Sequence, residues 1–473
     1  MELQLEQQRI SCLIPYAHRS MEERFSTDAV VPDSLPDAVK LLLTEGDLCL
    51  WRMDLSDGSA ELEGEIDTRI CCENEDGVLM SIPVRIPVQL RLRAEAIASS
   101  QRPFLRCRIK NLSGQLLNSR KVRVQATVYC SLVTYGVSEI ALTTGIASEK
   151  QNIYVRKSKI QFPYLSAVEE RVITAEDTLL LQGGVPSGGR LLSYDSLPIA
   201  DVCECEGQRV VVKGNIRTSL LYQDAVSHNL NSETIETPFS CVLDVDGDVS
   251  NCKLSLHLTS EEVRCRNDDP AVDTAFHLLI QAVCLAEQEM EYITDAYCNY
   301  AELNLEWKDQ SFPVFHTEEP KESVLEEEVP YDLTGKTVCT VRSSLLADGV
   351  SVLMLLLDTE QNLSSVSCCL KTDQTITKIE EPSVLSGKQS TTIRVPMMSM
   401  DESNQMDFIR VLSAADLLEN RYELRSGVSL VRREMATDFW ELAKMNQSSV
   451  DAIQLANPDR DRQYKWFVIP HVP

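Results

Sequence analysis

The chain has no run of about 18 apolar residues, the length a membrane-spanning helix needs, and its nearest candidate, Val350 to Leu357, reads as a buried strand. Its opening, MELQLEQQRISCLIPYAHRS, lacks the basic and apolar regions of a secretory signal, which sets a cytoplasmic expectation. Histidine is scarce: the six, at 18, 228, 257, 277, 316 and 471, form no H-E-x-x-H pair, which argues against a zinc hydrolase. His257 and His277 read as satisfied or surface-facing sheet residues. No C-x-x-C and no G-x-S-x-G occurs, and Cys203-x-Cys205 alone does not make a metal site. The Gly-rich stretch Gly183 to Arg190 has Arg190 and Leu191 where a phosphate cradle needs Lys and Ser or Thr, so it reads as a turn. These gaps leave no catalytic, cofactor or metal residue to assign, and an enzyme is not expected.

Basic charge is also short. Lys and Arg number 45 against 72 Asp and Glu, a net charge of −27, which repels phosphate backbones and anionic lipid and disfavours nucleic acid as a partner. The sixteen cysteines are scattered through strand-like segments, and most read as buried free thiols of a reducing compartment.

What is present is repetition. Pro36 and Pro186, Lys40 and Arg190, Leu42 and Leu192, and Gly64 and Gly214 each lie 150 positions apart, and Pro87 answers Pro238 at 151. Period-two alternation at Val122, Val124, Ala126, Val128, Cys130 and Leu132, and again at Val210, Val212 and Ile216, makes both copies strand-rich. The two mid-strand glycines predict a bulge or a close backbone approach, and Pro36 predicts the start of a short helix. The expected fold is mainly β, with tandem sandwich-like repeats at 20–150 and 165–302. An acidic linker at 303–332, a divergent β-rich module at 333–425 and a small β-α-α-β module at 426–473 follow. In that last module Asp438 and Glu441 form a capping box for one helix, and Asn457-Pro458 ends the second.

The Phe439-Trp440-Glu441-Leu442-Ala443-Lys444 opening, with Val450, Ile453, Asn457 and Val468-Ile469-Pro470, resembles a LysM domain. Ala436-Thr437-Asp438 replaces that family's Gly-Asp-Thr. The repeats, through Pro36 to Leu42, Pro186 to Leu192, Gly64, Gly214, Pro87, Pro238 and the Asn118 to Val124 stretch, resemble the SPOCS domain of sporulating bacteria. That order of domains is similar to spore morphogenetic proteins that work beside the coat-basement ATPase, stage IV sporulation protein A. The resemblance implies a non-catalytic scaffold of the spore coat, acting through protein contacts in the mother-cell cytoplasm at the forespore surface. The alternative it implies is binding of peptidoglycan N-acetylglucosamine through the LysM-like module. Candidate contact residues are Asp438, Phe439, Trp440, Asn457, Tyr464, Trp466 and Phe467. Pairing of long strands edge to edge would add self-association.

Overall fold

In the computed structural model, residues 2–147, 153–181, 190–224, 230–266, 271–317, 320–360, 362–386, 390–400, 402–421, 426–432, 438–458 and 466–471 are described. They form a mainly β protein of antiparallel sheets with two short helices. The Gly-rich stretch up to Gly189 lies outside these residues.

Three segments follow one strand plan. The first contains β1 (Gln4–Val30), β2 (Lys40–Ser56), β3 (Ser59–Glu73), β4 (Leu79–Arg93), β5 (Arg102–Asn118) and β6 (Lys121–Ala147). Long strands β1 and β6 pair along their whole length, β5 adds to β6, and β2-β3-β4 form a separate three-stranded meander. The second contains β7 (Ile153–Leu180), β8 (Arg190–Glu206), β9 (Arg209–Gln223), β10 (Leu230–Asp244), β11 (Asn251–Cys265) and β12 (Ala271–Cys298), paired in the same way.

The third segment interrupts its long strands: β13 (Ala301–Thr317) and β14 (Lys321–Val329) pair with β21 (Glu402–Arg421) and β20 (Thr391–Met400). Between them lie β15 (Thr337–Leu346), β16 (Gly349–Leu357) and β17 (Leu363–Lys371), a meander like the other two. β18 (Thr375–Ile379) and β19 (Ser383–Ser386) add to β20 as β5 adds to β6. The units therefore begin near residues 4, 153 and 301, not at 20, 165 and 333, and the expected acidic linker at 303–332 holds two strands. Charge misled there, because β14 exposes Glu322, Val324 and Glu326 to Glu328 while Ser323, Leu325 and Val329 are half-buried.

No helix follows Pro36. A register shift between Leu41 and Leu43 lets consecutive Leu42 and Leu43 both be buried, which in sequence looks like an apolar helix face. Gly64 and Gly214 sit opposite Leu50 and Ala200 in the central meander strands, each beside a shift in the partner strand. A Cβ on Gly64 would lie 2.2 Å from the Cys49 carbonyl oxygen, and one on Gly214 2.0 Å from that of Ile199. Pro87 faces Glu65 and Pro238 faces Asn215, one residue past each glycine.

Each unit packs its own core, Val122 to Cys130 with Ile66 and Ile82 in the first, for example. Shared clusters then join the units. Ile10, Ile140, Phe162, Met290, Phe312 and Ile409, one from each of six long strands, meet where the strand pairs converge, with the Phe162 and Phe312 rings 4.4 Å apart. Leu42 and Leu79, Leu192 and Leu221, and Leu355 and Leu363 meet where the meanders converge. Contacts of β2 with β8, β10 with β15, and β17 with β2 close a ring of three.

The last segment forms β22 (Gly427–Arg432), α1 (Phe439–Met445), α2 (Val450–Ala456) and β23 (Trp466–His471), with β22 and β23 antiparallel. Asp438 caps α1 through the Trp440 amide, and Ser449 caps α2 through the Ala452 amide.

Candidate functional site

Lys40 and Arg190 begin the first strand of their meanders and reach the neighbouring unit. Lys40 Nζ donates to the Leu363 carbonyl, and Arg190 Nη1 donates to the Leu79 carbonyl at 2.9 Å. Leu363 and Leu79 are each the first residue of the third meander strand, so both contacts repeat one geometry around the ring. The recurring Lys/Arg-Leu-Leu signature thus serves the joint between units.

Five residues further along those strands the same joint becomes polar. Glu45 in β2, Asp195 in β8 and Arg342 in β15 are each sixth in their strand. Arg342 donates through Nε and Nη2 to both Glu45 oxygens at 2.8 Å, and through Nη2 to the Ser219 carbonyl at 3.0 Å. Ser193 Oγ donates to Glu45 at 2.6 Å, and the Ser196 amide donates to Asp47 at 2.9 Å. Burial, with the Glu261 and Asp195 charges beside it, pushes Asp47 well above the usual carboxylate range. Burial raises Asp195 to about 7, with Glu45 adding to the rise. Burial raises Glu261 to about 8, with Asp67 adding to it. These acids come from two units and the arginine from the third, so the cluster ties the ring together and holds protons at neutral pH.

A second cluster is made of thiols. Cys203 and Cys205 share one face of β8, and Cys252 of β11 approaches them, its Sγ 3.1 Å from that of Cys203. A hydrogen bond from Cys252 lowers the pKa of Cys203 and of Cys205, and the same contacts raise Cys252. Among the described residues no group of three or more His, Cys, Asp or Glu is placed to hold a metal ion. His257 is buried, with Nε2 2.9 Å from the Leu105 carbonyl oxygen, and burial lowers its pKa to about 4. Leu105 belongs to edge strand β5, and its amide is taken by Gln281 Oε1 at 2.9 Å, so side chains stand in for a missing neighbour strand. His277 faces outward.

The C-terminal module places its candidate residues in two groups. Phe439, Trp440 and Phe467 are core: Phe439 and Phe467 meet edge to face at 5.4 Å, and Trp440 packs on Tyr297 of β12 at 4.9 Å. Trp440 Nε1 donates to Asp295 at 2.7 Å, and Lys444 reaches the same carboxylate. Asp438 is the helix cap and pairs with Arg156 at 3.0 Å. Asn457 donates to the Val468 carbonyl and accepts from the Val468 amide, fixing α2 to β23. These five therefore hold the module together and dock it on the second unit, in place of the contact role expected of them. Tyr464 lies outside the described residues.

Trp466 alone among the placed candidates is exposed, at 53%. It is not isolated. Val428 and Leu430, 66% and 65% exposed, lie on the outer face of β22, where Leu430 pairs with Val468, Val428 with Pro470 and Arg432 with Trp466. The inner face, with Phe467 and Ile469, is the module's core. The sequence missed Val428 and Leu430 because alternation shows two faces without saying which one the helices cover.

No family model matches the chain, and no curated protein is significantly similar to it. Among the described residues no helix is long and apolar enough to cross a membrane.

Proposed function

We propose that the chain is a non-catalytic scaffold of the spore coat that docks a protein partner on the outer face of its C-terminal sheet. The observation that carries this reading is the exposed row of Val428, Leu430 and Trp466 on a two-stranded sheet whose other face is fully used. An exposed aromatic flanked by aliphatic residues suits a protein interface, where a few desolvated anchors supply most of the affinity. The partner suggested by the resemblance is the coat-basement ATPase, stage IV sporulation protein A, met in the mother-cell cytoplasm at the forespore surface. Binding of N-acetylglucosamine is the weaker reading, since Phe439 and Trp440 are core and Asp438 and Asn457 are engaged in contacts within the chain.

The test is binding of the purified full chain to that ATPase, with Trp466→Ala and Leu430→Asp as variants. Loss of an anchor of about 2 kcal/mol predicts roughly thirtyfold weaker binding for each variant. Unchanged affinity in both, or retention of the chain on insoluble peptidoglycan with no ATPase binding, would overturn the proposal.

A further inference from the structure

A cavity of about 2090 Å³ lies between the three units, and one of its walls is basic. β5 turns Phe104, Arg106, Arg108 and Lys110 toward it, because Leu105, Cys107 and Ile109 are taken up by the core of the first unit. Lys253 and His257 of β11 line the same space.

The charges on this wall are treated unequally. Lys110 is paired with Glu22 at 2.6 Å, and the Arg106 guanidinium lies over the Phe104 ring at 5.7 Å. Arg108 has no hydrogen bond or ion pair among the described residues. Its side chain is open to the cavity, yet protein surrounds it closely enough that burial, with Arg106 beside it, lowers its pKa to about 10. Among the described residues no carboxylate pairs with this guanidinium, and Glu22, which faces Tyr129 from β1, is taken by Lys110. A guanidinium that opens on the cavity and has no counter-charge among the described residues is free to take an anion from outside.

The neighbours suit an oxyanion. Tyr129 is the register partner of Arg108 on β6, and Ser131, whose Oγ lies 3.2 Å from His18 Nε2, is that of Arg106, so two hydroxyls and an imidazole stand beside two guanidinium groups on one wall. The planar fork of arginine matches the spacing of phosphate or carboxylate oxygens, and hydroxyls donate to the remaining ones. We propose that Arg108, with Arg106, Tyr129 and Ser131, forms a binding site for a small oxyanion ligand, a phosphate or a dicarboxylate, inside the inter-unit cavity. The cavity leaves room for whatever carries the anionic group. This site is independent of the C-terminal docking face.

Calorimetric titration of the full chain at fixed ionic strength tests it, with inorganic phosphate in one arm and succinate in the other. The expected result is saturable binding in one arm, at least tenfold weaker in Arg108→Gln and unchanged in Arg209→Gln, which alters only a surface pair with Asp244. The arm that responds separates phosphate from carboxylate. Arg108→Lys, which keeps the charge and removes the fork, covers the case in which Arg108→Gln fails to fold, and it is expected to bind severalfold more weakly. Absence of binding in both arms down to affinities of about 1 mM, or equal affinity in wild type and Arg108→Lys, would overturn the site.

Discussion

Arg342 grips Glu45 through two hydrogen bonds of 2.8 Å across 297 positions of sequence, with side chains only 2% and 6% exposed. A buried pair of this kind is worth little net stability when intact, yet removing one partner strands the other charge. Glu45→Ala is therefore expected to cost about 3 to 5 kcal/mol in denaturant unfolding. The paired replacement Glu45→Leu with Arg342→Met is expected to cost less than Glu45→Ala alone. A single variant within about 0.5 kcal/mol of wild type would show that the pair is not buried as described.

Stability should fall as pH rises through neutrality. An unfolded carboxyl group titrates near about 4, whereas Asp195 and Glu261 are raised to about 7 and about 8 in the folded chain. Between those limits the folded state holds protons that the unfolded state has lost, so unfolding free energy decreases with pH. The stabilisation is complete below about pH 4 and lost above about pH 8. Asp28, lowered by hydrogen bonds from Arg123 and Lys121, changes only at more acid pH and leaves this window alone. Glu261→Gln should flatten the slope of stability between pH 5.5 and 8.5; an unaltered slope would assign the titration elsewhere.

The recurring glycines give a matched pair of tests. Gly64→Ala and Gly214→Ala each drive a methyl group into a backbone carbonyl of the adjacent strand, at Cys49 and at Ile199. Overpacking of this kind costs about 1 to 3 kcal/mol, and a backbone obstacle places both at the upper end. Gly58→Ala is a control with open space around it but a φ of +85°, so its cost is backbone strain alone, about 1 kcal/mol. Thermal unfolding that ranks Gly58→Ala as the most damaging of the three would contradict the close approach.

Mild peroxide should link Cys203 to Cys252. Two thiols and one hydrogen peroxide give a disulfide and two waters: the more acidic, exposed Cys203 attacks the peroxide and becomes a sulfenic acid, releasing one water, and Cys252 displaces the second. Peptide mapping after alkylation is expected to find that bond in wild type, and a Cys205 to Cys252 bond in Cys203→Ser. Detection of neither, while other cysteines oxidise, would show that the approach of β8 to β11 does not bring the thiols within reach.

Much of the architecture was legible because a strand writes its burial with a period of two. Val122 to Cys130 showed it, and the mid-strand positions of Gly64 and Gly214 pointed to the close backbone approach of the partner strands there. Strand β14 was not legible: it is largely solvated, so its charge read as a linker. Leu42-Leu43 read as a helix because a bulge breaks the alternation that marks a strand. The Asp438 cap was visible, since a capping side chain and the amide it accepts from stand close together in sequence.

By itself the sequence determined the local chemistry: where strands alternate, where a glycine must stand, where helices begin, and that acidic side chains outnumber basic ones. Tertiary structure alone decided which charges meet. Glu45 finds Arg342, Trp440 finds Asp295, and Arg108 finds no partner among the described residues, because each outcome depends on how separate parts of the chain pack on one another. Periodicity is a property of neighbours along the chain, whereas a counter-charge 297 positions away is a property of packing.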